Sequence, residues 1–139
     1  MKDIFSSTLK TTVLTFLIVA FGLLLDLYFI QHYENFLQLL PILGIWSLLI
    51  IFAIRRRLSN KFITTLMIYS IILIALIGLL GVFFHLKANF EFEKEIYVNE
   101  TTINLLINSF SGALPVFAPG SLLILSLLGM LYLQLTSKI

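Results

Sequence analysis

Charge is confined to a few short stretches of this chain, and the runs between them are long enough to cross a bilayer. Residues 36–54, 62–84 and 101–137 contain no Lys, Arg, Asp or Glu, and residues 11–30 contain only Asp26. A helix needs roughly 20 mostly apolar residues to span the ~30 Å hydrocarbon core of a membrane. Four such spans are predicted, at about 11–30, 36–54, 62–84 and 119–135. Composition agrees: 60% of the residues are hydrophobic and 12% charged, with a mean hydropathy of +1.07, whereas soluble domains carry about a quarter charged residues. A chain of 139 residues has too much surface for its volume to hide that apolar content from water. The bilayer is therefore its solvent. The expected fold is an all-α integral membrane protein, a single domain of four transmembrane helices in a bundle.

The polar punctuation organises the rest. Gln31-His32-Tyr33-Glu34-Asn35 separates the first two spans and predicts a tight turn. Pro41 falls early in the second span, where a proline removes a backbone donor and kinks a helix. Arg55, Arg56, Arg57 and Lys61 punctuate the second and third spans. The longest polar stretch, HLKANFEFEKEIYVNE at 85–100, holds Glu91, Glu93, Glu95 and Glu100, four of the seven acidic residues. It reads as the third helix emerging from the membrane, with His85, Asn89 and Glu93 on one face and Lys87, Glu91 and Glu95 on another. The uncharged run at 101–137 is too long for one straight span, and Gly112, Pro115, Pro119 and Gly120 break it. A short interfacial or re-entrant helix at about 102–110, an irregular GALPVFAPG segment, and a fourth helix opening at Pro119 are expected. Proline suits a first helical position because its missing N–H would have no partner there.

Four spans bring both ends to one side. Lys2, Lys10, Arg55, Arg56, Arg57, Lys61 and Lys138 then share that side, against Lys87 and Lys94 on the other. Cationic loops stay cytoplasmic, so both termini and the triple-arginine loop are expected inside a bacterial inner membrane, with an extracytoplasmic segment at about 85–118. Tyr132 fits the inner aromatic belt and Tyr28, Tyr33 and Tyr97 the outer one. Trp46, near mid-bilayer by its rise along the second helix, is expected inside the bundle. The N-terminal MKDIFSSTLK and its apolar sequel resemble a signal sequence, but no small-x-small site follows and the run continues past Asp26, which favours an uncleaved first helix.

Some chemistry is excluded. With no cysteine, disulfides, thiolate catalysis and Cys-ligated metals are ruled out. A net charge of +2 is too small to suggest nucleic acid, and no phosphate loop, nucleophile elbow or zinc-protease motif occurs. No catalytic residue and no cofactor is predicted. The candidate polar site comprises Asp26, His32, Glu34, His85, Asn89, Glu93 and Ser121. Asp26 is the one carboxylate inside a predicted span, and such groups usually face the bundle interior or a water-filled cavity. Its height matches Ser121, which suggests a carboxylate capping the free N–H groups of Gly120, Ser121 or Leu122. His32 and His85 lie at the outer boundary, where two histidines with carboxylates are able to hold a metal, although no spacing presets them on one helix face. Arg55, Arg56 and Arg57 are candidates for anionic lipid head groups.

These features point first to a non-catalytic accessory or assembly component, whose partners are the lipid bilayer and either copies of itself or a larger membrane complex. The alternatives are a small oligomeric transporter or channel using Asp26 near a helix start, and a membrane enzyme or metal site at the outer surface.

Overall fold

In the computed structural model, which describes residues 2–136, the chain is a helical membrane bundle. Helix α1 is Lys2–Phe29, α2 Phe36–Arg57, α3 Lys61–Ile96, α4 Thr102–Ser109 and α5 Ser121–Thr136, the last entered through a 3₁₀ turn at Ala118–Gly120. Ile4–Phe29, Phe36–Arg57, Lys61–Ile96 and Ala118–Thr136 are each long and apolar enough to span a membrane. Lys138 lies outside the described residues, as does the side chain of Lys2.

Each boundary has a local cause. At the end of α1, the N–H of His32 donates to the Leu27 carbonyl (2.8 Å) and that of Gln31 to Tyr28 (3.0 Å), the paired bonds of a Schellman motif. Its left-handed position, usually glycine, is Gln31 at φ 56°. Helix α2 opens on a capping box: the Gln38 N–H donates to Asn35 Oδ1 (3.0 Å) and Asn35 N–H to Gln38 Oε1 (3.3 Å). That reciprocal pair satisfies donors that a helix start otherwise leaves open. Asn60 caps α3 through Ile63 N–H (2.9 Å), so three residues suffice to reverse the chain after the arginines.

The spans form a ring in the order α2, α3, α5, α1, in which α1 and α2 close the circle loosely. The core is built from Phe16 and Ala20 of α1, Ile45, Leu48 and Phe52 of α2, Met67, Ile71 and Ile74 of α3, and Leu122, Leu125 and Tyr132 of α5. Phe52 sits between Phe16 and Tyr132, with ring centroids 4.6 and 4.8 Å away. Ser126 adds a polar tie between helices, its hydroxyl donating to the carbonyls of Ile71 (3.2 Å) and Leu122 (2.9 Å).

One expectation needs correction. Trp46 is 49% exposed and faces outward over the α1–α2 seam, because Gly44, Ile45, Leu48 and Leu49 take the buried positions of α2. Helix α1 extends on the N-terminal side of the expected span, from Lys2, and there the hydroxyls of Thr8 and Thr12 donate to the carbonyls of Ile4 and Thr8 (2.9 Å each). The remaining boundaries follow the sequence closely, including an α3 that runs on through the polar stretch to Ile96.

Beyond the span, α3 projects by about twelve residues, roughly 18 Å. A short turn at 97–101 starts α4 close to the end of α3, and Ser109 at the other end of α4 touches Asn89. The two helices thus form an antiparallel hairpin. Helix α4 packs lengthwise against α3.

Candidate functional site at the acidic end of the bundle

Where α1 ends and α5 begins, a cavity of about 90 Å³ opens among Asp26, Leu27, His32, Pro41, Gly81, His85, Pro119, Ser121 and their neighbours. Four of the seven residues singled out from the sequence meet around it: Asp26, His32, His85 and Ser121. Sequence distance hides their proximity, and three local devices create it. The Schellman turn folds His32 back over Leu27. Pro41, buried in α2, forms one wall. Gly81 lets the 3₁₀ turn approach α3 so closely that a Cβ there would lie 2.6 Å from the Pro119 ring.

His85 is held from the other side. Its Nδ1 lies 3.0 Å from the Pro115 carbonyl oxygen. A carbonyl only accepts, so Nδ1 carries the proton and Nε2 is the nitrogen left for other partners. His32 is half-buried, and burial first, then the nearby His85, hold its imidazole below the usual value near 6.5. The space suffices for a few water molecules.

Asp26 lines this cavity but does not cap α5. Ser121 hydroxyl donates instead to the Ala118 carbonyl (2.6 Å), and the Gly120 N–H to that of Phe117 (2.9 Å). The 3₁₀ turn satisfies internally the donors that the carboxylate was expected to meet.

The other three candidates lie apart from the cavity. Glu34 is exposed in the α1–α2 turn, where its N–H donates to Gln38 Oε1 (2.9 Å). Glu93 stays on the α3 extension, its carbonyl accepting from Tyr97 (2.9 Å). Asn89 is only 1% exposed and is fully engaged. Its amide donates to the carbonyls of Ser109 (2.9 Å) and Leu114 (2.7 Å), and its Oδ1 accepts from the Leu114 N–H (2.9 Å). Residues 109–115 therefore cover Asn89, which lines none of the cavity that His85 borders. Gly112 packs on the Asn89 amide so tightly that a Cβ would lie 2.6 Å from Cγ. Lys87 and Glu91 form the expected i,i+4 ion pair at 3.6 Å, with both side chains exposed. At the tip of the hairpin, the Glu100 carboxyl is held below its usual range by Asn104 (2.6 Å) and then by the Thr101 N–H (3.2 Å).

Among the described residues no three His, Cys, Asp or Glu side chains cluster closely enough for a metal ion. His32 and His85 supply two nitrogens at one cavity, with Asp26 on its wall.

At the opposite end the three arginines part company. Arg55 is 5% exposed, and its Nε has no hydrogen-bond partner. Arg56 and Arg57 instead border a cleft of about 640 Å³ between α1 and α2. A sequence cannot show that adjacent cations on a helix face different surroundings unless the buried face of that helix is known.

Comparison with known protein families, with curated proteins and with solved structures finds no match for this chain.

Proposed function

We propose that this is a non-catalytic accessory or assembly component of a bacterial inner membrane, docking a partner through the hairpin that stands beyond the bilayer. One observation carries it. Ile103, Leu106 and Ile107 of α4 and Phe110 at its C-cap recur at i, i+3, i+4 and i+7, and all four are exposed, Ile103 at 71% and Ile107 at 61%. Such a stripe in water marks an interaction surface, and by helix rise it lies outside the hydrocarbon. Leu105 and Ser109, on the other face of α4, are buried against α3, and the Asn89 clamp holds the hairpin to the bundle. The surface is thus preformed, which lowers the ordering cost of association. The partner is a protein with an apolar extracytoplasmic surface.

The orientation belongs to the same proposal and rests on the cationic bias, with Lys10, the arginines and Lys61 at one end and Lys87 and Lys94 at the other. Because the chain has no cysteine, Ser59→Cys and Asn99→Cys each give one labelling site. A membrane-impermeant maleimide applied to intact spheroplasts should label Asn99→Cys and spare Ser59→Cys. For docking, affinity purification after cross-linking should recover a stoichiometric partner that Ile107→Asp loses while the variant keeps its detergent gel-filtration profile. Recovery of the wild type alone, or an unchanged complex with Ile107→Asp, would sink the idea.

The cavity at the acidic end supports a second function, passage of protons or a small cation, because an intramembrane carboxylate and two histidines share one water-sized space. Proteoliposome flux that depends on pH and disappears in Asp26→Asn is the expected signature. Flux indistinguishable from empty liposomes counts against it.

A further inference from the structure

The seam between α1 and α2 is an unfilled groove along the lipid face of the protein, and its contents are not random. Its deeper part, of about 640 Å³, is lined by Leu17 and Phe21 of α1 and by Trp46, Leu49, Ile50 and Phe52 of α2. Arg56 and Arg57 border the same cleft at the end of α2. Phe21 and Trp46 continue into a second hollow of about 380 Å³ that ends at Tyr28 and Tyr33. From Arg57 to Trp46 the helix rises about 16 Å, close to half of the ~30 Å hydrocarbon core. The lower groove is therefore one leaflet deep, apolar along its length and cationic at its mouth. An apolar trough with two guanidinium groups at its mouth is complementary to a phospholipid, which presents an acyl chain and a phosphate in that order.

We propose that this groove is a specific site for an anionic phospholipid of the arginine-side leaflet, its acyl chain along Leu17, Phe21 and Trp46 and its phosphate on Arg56 and Arg57. Guanidinium suits phosphate because its planar fork of donors makes paired, charge-assisted hydrogen bonds. Arg55 takes no part, because its burial removes it from the cleft. The lipid supplements the sparse contact between α1 and α2, so it acts as a structural ligand of the bundle. This site is independent of the docking hairpin and of the orientation of the chain.

Trp46 is the only tryptophan and lies in the groove, so its fluorescence reports the occupant. The protein is reconstituted into dioleoylphosphatidylcholine vesicles with increasing fractions of acyl-brominated phosphatidylglycerol or acyl-brominated phosphatidylcholine, whose bromines quench by contact. Two basic side chains at the surface correspond to a preference of about thirtyfold for the anionic lipid. Half-maximal quenching should then need about a thirtieth as much brominated phosphatidylglycerol as phosphatidylcholine. The preference should vanish in Arg56→Gln/Arg57→Gln and persist in Arg56→Lys/Arg57→Lys, which keeps charge and tests for misfolding. Equal quenching by the two lipids, a preference that survives in the glutamine variant, or a Trp46 shielded from both because another protein segment covers it, would each overturn the proposal.

Discussion

Asn89 is where one side chain decides most. It sits on α3 past the uncharged run 62–84, and it binds two backbone segments at once through Ser109 and Leu114. Truncation to alanine leaves a buried N–H and two carbonyls without partners, at a cost of about 3 kcal/mol. Asn89→Ala should leave the four spans intact but expose 101–117 to proteases and speed amide exchange there. Unchanged cleavage would mean that the hairpin is held by its apolar contacts alone. His32 gives a prediction in pH. Burial is the larger cause of its lowered pKa and His85 the smaller. His85→Gln should therefore raise the His32 value only part of the way, as read from imidazole NMR shifts. The folded state resists a proton that the unfolded chain accepts near pH 6.5. This contribution to stability is complete above that pH and is lost as pH falls toward the folded value. Stability that is flat or rising from pH 7 to 5.5 would contradict the assignment, provided His32→Gln shows no such slope.

At the scale of elements, glycines mark where α3 is approached from two sides, and the two approaches differ in tolerance. A Cβ at Gly81 meets the Pro119 ring at 2.6 Å, whereas one at Gly44 meets the tip of Ile74 at 2.8 Å. Proline is rigid and tied to the start of α5, but an isoleucine methyl moves by a rotamer change. Gly81→Ala should thus destabilise the fold by about 1–3 kcal/mol through overpacking, and Gly44→Ala distinctly less. Thermal denaturation in one detergent decides the order; the reverse order would show that the 3₁₀ turn yields more easily than the core. Gln31 shows the opposite economy. It takes a left-handed conformation that costs about 1 kcal/mol for a residue with a Cβ, and the turn it closes carries His32 to the cavity.

Over the whole molecule the spans are unequally held. Helix α3 packs against α2, α4, the 3₁₀ turn and α5, while α1 is secured chiefly by α5 and touches α2 at few places. Local opening follows such differences in packing. In detergent micelles, α1 should exchange its amide hydrogens before the 67–78 segment of α3. Addition of phosphatidylglycerol, by filling the α1–α2 seam, should slow α1 more than α3. Uniform exchange across all four spans would mean that the bundle opens as one unit. The open seam also explains how a small chain with so much apolar exposure is stable: its outer surface is solvated by lipid, so exposed Leu, Ile and Phe carry no penalty there.

The membrane class, the four spans, the long α3 and the break before α5 are all legible in the sequence. They depend on local properties, namely where charges stop, where prolines and glycines interrupt, and how far a helix rises per residue. Candidate residues were legible in part by the same count of heights: it put Asp26 level with Ser121 and His32 level with His85 at the outer boundary, and the fold brings all four to one cavity. What the count cannot supply is direction around each helix axis. That is why Trp46 was expected inside and lies outside, why Arg55 is buried while Arg56 and Arg57 are not, and why Asn89 clamps a loop instead of lining a pocket. In a soluble protein the polar face of each helix reveals its rotation. In lipid both faces are apolar, and rotation is set by close packing among Gly44, Gly78, Gly81 and the side chains that meet them, which only the tertiary structure decides.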